Sequence, residues 1–139
     1  MVRAGRVAQE HDCAFMVVAG DVFDSNHLRP QTVRRAMEAL RQVPVPVYLL
    51  PGNHDALNAA AVYDSPAFTG VGLEHVHVLR SSEPVEVAPG VELVAVPLTT
   101  NQPDHDVVAA VLDDLEPPAP GVRRVLVAHG QLLELDPGR

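Results

Sequence analysis

The stretch Val45-Pro46-Val47-Tyr48-Leu49-Leu50-Pro51-Gly52-Asn53-His54-Asp55 decides how the rest of the chain is read. Its first six residues are an apolar run of strand length, and Pro51-Gly52 ends it. A carboxamide, an imidazole and a carboxylate then crowd onto one turn. In open α/β sheets, ligands bind just outside the carboxyl ends of the strands. Asn53, His54 and Asp55 therefore stand where chemistry is expected.

Toward the N-terminus, residues 14–19 read as a second apolar strand, buried on both faces as in a parallel sheet. It runs into Gly20-Asp21-Val22-Phe23-Asp24-Ser25-Asn26, a loop rich in carboxylates. Between the two strands, residues 30–41 form the clearest helix. Pro30 suits its first turn, and Val33, Ala36, Met37 and Leu40 fall on one stripe. This is a β-α-β unit, and a right-handed crossover makes its strands parallel. Asp21 and His54 then leave the same edge of one sheet. Residues 3–11 precede the unit as a short helix, with Ala4, Val7 and Ala8 on its apolar face.

Beyond Asp55, residues 56–72 read as a loop with a short helix, and 76–79, 84–87 and 91–96 as strands. Pro89-Gly90 turns the last two into a hairpin. Residues 104–115 are predicted helical, capped by Asp104, with Val107, Val108, Val111, Leu112 and Leu115 inward. Residues 122–128 form a last apolar strand that ends in His129-Gly130, and 131–139 have no regular pattern. The order of elements predicts an α/β fold.

Composition narrows the function. The net charge of −8 argues against gripping nucleic acid by bulk electrostatics, because that affinity comes from basic residues neutralising phosphates. An acidic site that holds divalent cations can still present a positive face to a phosphodiester. With two Tyr, three Phe and no Trp, a base-stacking platform is not expected. Cys13 is the single cysteine, which leaves no internal disulfide and no thiolate cluster. No apolar run reaches the roughly 18 residues of a membrane span, and the first residues lack the apolar core of a signal peptide. These features lead us to expect a cytoplasmic protein with no membrane partner.

Three strands thus end in metal-ligand types: Asp21, then Asn53-His54, then His129. Manganese and related ions accept carboxylate, carboxamide oxygen and imidazole together. A pair of ions about 3.5–4 Å apart is the usual core of a two-metal phosphoester site. Gly20, Gly52 and Gly130 adjoin these ligands and allow sharp turns there.

Gly20-Asp21-x-x-Asp24, Gly52-Asn53-His54-Asp55 and Ala128-His129-Gly130 resemble three consecutive motifs of the calcineurin-like metallophosphoesterases. Within that family the contexts of the first two are similar to the nuclease subunit of bacterial SbcCD complexes. The likeness runs over residues 3–133 or so. It implies a four-layer αββα sandwich. It implies that Asp21 bridges two metals, and that Asn53 and His129 bind the second. It implies that His54 contacts the scissile phosphate and assists the leaving oxygen, that Asp55 orients His54, and that Asp24 supports the loop from behind the metal ligands. The implied reaction is metal-dependent, in-line hydrolysis of DNA phosphodiester bonds in repair or recombination. Mn2+ is the implied cofactor, DNA the substrate and an SbcC-type ATPase the partner.

The family also uses an Asp-x-His motif on an earlier strand and a Gly-His-x-His-like motif on a later one. Neither is found here, so 1–139 is expected to be a partial domain that lacks the first and the C-terminal strands. An unpaired sheet edge, one well-liganded ion at most and impaired hydrolysis are expected with it. Two other functions fit the same residues. One is a small-molecule phosphodiesterase or phosphatase of the same superfamily, and the other a non-catalytic remnant or interaction module. Taken singly, His11, His27, His75, His77 and His105 read as surface or structural residues, and Arg34-Arg35 as a solvated helix face.

Overall fold

The computed structural model describes residues 1–130, so the expectation for the tail lies outside the described residues. In chain order the elements are α1 (Val2–Glu10), β1 (Met16–Ala19), α2 (Pro30–Arg41) and β2 (Val47–Leu50). A 3-10 turn (Val62–Asp64), α3 (Pro66–Thr69), β3 (Val76–Val78) and β4 (Val85–Ala88) follow. The last elements are β5 (Val91–Val96), α4 (Val107–Asp114) and β6 (Arg123–Ala128).

The strands form two three-stranded sheets, ordered β1-β2-β3 and β4-β5-β6. The first is all parallel, with Val17 opposite Tyr48 and Tyr48 opposite His77. In the second, β5 pairs antiparallel with β4 through the Pro89-Gly90 turn and parallel with β6, Val94 opposite Leu126. The mixed sheet follows from the connections. A two-residue turn joins only antiparallel neighbours, whereas the return from β5 to β6 carries α4 and can lay them parallel.

The side-chain alternation of β2 explains why the sheets stack. Val47 and Leu49 join Val33, Met37 and Leu40 of α2 in one core, with Phe23, Val62, Tyr63 and Phe68. Tyr48 and Leu50 point the other way, into a second core with Leu93, Ala95 and Val127 of the facing sheet. Val94 and Val96 alternate onto the outer face of β5, where α4 lies. The layers run helix, sheet, sheet, helix, which is the α/β arrangement expected from the order of elements.

Several local expectations are corrected. β1 is half-buried and its last residue, Ala19, is exposed, because β1 is an edge strand in the described sheet. In α1 the buried residues are Gly5 and Ala8 rather than Ala4 and Val7. Gly5 sits 3.3 Å (from the place a Cβ would take) from the Cα of Val43, and that close approach turns the helix. The cap of α4 is Asp106, whose Oδ1 accepts from the N–H groups of Val108 (3.0 Å) and Ala109 (2.9 Å). Asp104 is instead 2.7 Å from His105 Nδ1, and that bond holds its carboxyl below the usual carboxylate range. None of the α4 residues is fully buried, and Leu112, expected inward, is 52% exposed.

Candidate metal and phosphoester site

Both sheets direct the carboxyl ends of β1, β2 and β6 to one end of the molecule, and three side chains of the sequence motifs, Asp21, Asn53 and His129, meet there. His129, just beyond β6, places Nε2 at 3.2 Å from Asp21 Oδ2 and at 3.0 Å from Asn53 Oδ1. Its Nδ1 lies 2.9 Å from the carbonyl of Ala19 at the end of β1. A carbonyl only accepts, so Nδ1 carries a proton and donates it. Nε2 then faces two oxygen acceptors. A cation among these three atoms, or the Asn53 amide turned to present its N–H, would relieve the opposed lone pairs.

Close backbone approach makes the cluster possible. A Cβ on Gly20 would overlap the ring of His129, and one on Gly52 would overlap the carboxylate and backbone N of Asp21. Gly20 also has φ +96°, a conformation that side-chain-bearing residues rarely adopt. Asp21 itself has φ +49°, an uncommon value for a residue other than glycine and one that recurs at ligand-clamping turns. Its Oδ1 accepts from the N–H of His54 at 3.1 Å, tying the first motif to the second. Gly130, by contrast, has open space where a Cβ would be and no steric need to be glycine.

His54 is exposed, and its Nδ1–H donates to the main-chain carbonyl of Asp24 at 3.0 Å. The Asp55 carboxylate expected to orient it is fully buried and makes no hydrogen bond to the His54 ring. Its Oδ1 accepts from Gly52 N–H (2.7 Å), and its Oδ2 accepts from Phe23 N–H (3.1 Å) and from the hydroxyl of Tyr63 (2.5 Å). Burial, and then the bond to Asp55, push the Tyr63 phenol well above its usual pKa, so it remains a donor. Asp24 supports the site through its carbonyl, while its residue is exposed.

Other residues hold these loops without having stood out in the sequence. Asn26 Nδ2 donates to the carbonyl of Ala56 at 2.9 Å, and its Oδ1 accepts from Val62 N–H at 2.8 Å. Leu98 N–H donates to the carbonyl of Pro51 at 3.2 Å, and Leu57 N–H to that of Leu98 at 2.8 Å. The only signal for Asn26 was its place in a loop of turn residues. Nothing local marked Tyr63 or Leu98, whose partners lie far away along the chain.

A model of the calcineurin-like phosphoesterase family matches residues 2–136. The chain belongs to that family. Calcineurin-like phosphoesterases are hydrolases that generally hold two divalent metals. The chain is also 39% identical over 51 residues to the DNA double-strand break repair protein Mre11 of Archaeoglobus fulgidus. That stretch covers 34% of this chain and 12% of the Mre11 protein.

The donors present fit one divalent ion of this calcineurin-like type. Ligands about 2.1 Å from an octahedral ion lie about 3.0 Å from each other, close to the Nε2–Oδ1 and Nε2–Oδ2 separations of 3.0 and 3.2 Å. The set mixes one carboxylate, one carboxamide and one imidazole. Among the described residues no group of three or more His, Cys, Asp or Glu side chains is so placed that it could hold a metal ion. No helix among the described residues is long and apolar enough to cross a membrane.

Proposed function

We propose that this chain is the phosphoesterase domain of a metal-dependent DNA phosphodiesterase that works in repair or recombination. The convergence of Asp21, Asn53, His54 and His129 from three strand ends carries this reading. The partial identity to Mre11 favours DNA over a small diester. Asp21, Asn53 and His129 would hold the ion, Mn2+ in our reading. The ion supplies positive charge to the phosphate and acidity to water. Deprotonated at Nε2 and fixed by its Nδ1–H bond to Ala19, His129 offers the tautomer that a ligand needs. His54, with its Nδ1–H held on the Asp24 carbonyl, can turn Nε2 toward substrate and protonate the leaving oxygen. With Asp21 the one carboxylate in the cluster among the described residues, we expect slow turnover by this chain alone.

Purified protein should hydrolyse linear duplex DNA slowly, only with Mn2+. Asp21→Asn should abolish hydrolysis and ion binding together. His54→Gln should lower turnover about 100-fold, the scale of one acid-base group, yet leave ion binding intact. Hydrolysis of a chromogenic diester with none of DNA would move the protein to the small-molecule phosphodiesterases. Silence on both substrates, with no ion bound, would make it a non-catalytic module. An SbcC-type ATPase is the partner we propose for a protein that carries this domain in the cytoplasm. Failure of the two to coelute on size exclusion would count against that pairing.

A further inference from the structure

We propose that Tyr63 is a positioning residue, acting through Asp55 to hold the two ligand-bearing loops in register. This rests on the metal-dependent reading above. Asp55 is buried to 0% exposure, and its charge is met by hydrogen bonds from Gly52 N–H, Phe23 N–H and Tyr63 O–H. Each backbone donor belongs to a different loop. Gly52 immediately precedes Asn53 and His54, and Phe23 follows Asp21 by two residues. One carboxylate therefore staples the loop after β1 to the loop after β2, directly beneath the residues that meet His129.

Tyr63 is the side-chain member of the staple, and it is itself fixed from several sides. Its ring packs edge-on against Phe23 (centroids 5.8 Å apart) and Phe68 (5.3 Å). Its carbonyl accepts from Arg80, which also pairs with Asp64 at 2.8 Å. The neighbouring Val62 N–H is held by Asn26. A hydroxyl set so rigidly fixes the rotamer of the carboxylate it touches. Without that hydroxyl, Asp55 Oδ2 keeps Phe23 N–H alone, a poor substitute for hydration of a buried charge. The carboxylate would reorient toward water and carry Gly52 or Phe23 with it. Groups one shell removed from a metal typically change its affinity 10–100-fold when lost.

The test uses the full chain, Mn2+ titration by calorimetry and amide hydrogen exchange by NMR. Tyr63→Phe should weaken Mn2+ binding about 10-fold and speed exchange at Gly52 and Phe23. Val94→Ala serves as the control for general destabilisation, since Val94 is fully buried on the outer face of β5. It should lower Tm at least as much as Tyr63→Phe, yet keep Mn2+ affinity within about twofold and leave both amides protected. Unchanged affinity and protection in Tyr63→Phe, or equal losses in Val94→Ala, would overturn the proposal. If the parent shows no saturable Mn2+ binding that Asp21→Asn removes, the metal reading fails separately. The exchange comparison then decides alone: faster exchange only in Tyr63→Phe supports the staple, and identical exchange in both variants refutes it.

Discussion

At the scale of single residues, Gly20, like Gly52, is a position where one methyl group would reach the site. Gly20→Ala puts a side chain on a backbone at φ +96° and into the ring of His129. The backbone conflict alone should cost more than about 1 kcal/mol, measurable as a lower urea midpoint with an unchanged slope. His129 should be displaced with it, and Mn2+ binding lost. Asp55→Ala should destabilise more, by about 3 kcal/mol or beyond, because two main-chain N–H groups and a hydroxyl lose their buried acceptor. A loss under 1 kcal/mol would show that water takes the carboxylate's place. Tyr63 also makes stability depend on alkaline pH. Its pKa is raised on folding, so above about pH 10 the unfolded chain releases a proton that the folded one keeps. The unfolded state then binds fewer protons, and stability falls as pH rises. The stabilising contribution is whole below pH 10 or so. All ten basic residues are arginine, which stays charged here, so lysine titration does not obscure the effect. Tyr63→Phe should flatten the decline of urea stability between about pH 9.5 and 11; an unchanged slope would assign the decline elsewhere.

At the scale of elements, helix α2 was plain in the sequence and α4 less so, for a physical reason. α2 buries Val33, Met37 and Leu40 at helical spacing under a parallel sheet, and periodicity reports that kind of burial well. α4 has valines on several sides and buries none of them completely, so its pattern misplaced Leu112 on the inward face and started the helix too early. The cap expected at Asp104 falls instead on Asp106. Asp106 is extended at ψ 96° with its carboxylate over the first turn, whereas Asp104 pairs with His105. Asp106→Ala should therefore cost about 1 kcal/mol and raise amide exchange across Val107–Asp114. Asp104→Ala should leave that exchange unchanged. The reverse result would restore the cap expected from the sequence.

At the scale of the whole molecule, charge and topology together set how DNA would be met. A chain of net charge −8 should not bind duplex DNA at about 150 mM salt in EDTA. In our reading, divalent ions create affinity by reversing the local potential at the strand ends. Fluorescence anisotropy should show Mn2+-dependent binding of a labelled duplex, abolished by Asp21→Asn. Equal binding in EDTA would place the contact away from this site. The sequence by itself determined the α/β class, the β-α-β unit and the motif residues at three strand ends. Each of these is written in local periodicity or in a short run of turn residues. Only the tertiary structure decided which groups meet. His129 reaches Asp21 because Tyr48 and Leu50 of one sheet pack on Leu93, Ala95 and Val127 of the other, a contact that local pattern cannot encode. Asp55 likewise stands beside His54 in the sequence, yet it turns into the core toward Tyr63. A buried carboxylate goes where three donors can replace its water, and those donors come from loops that only the folded chain brings together.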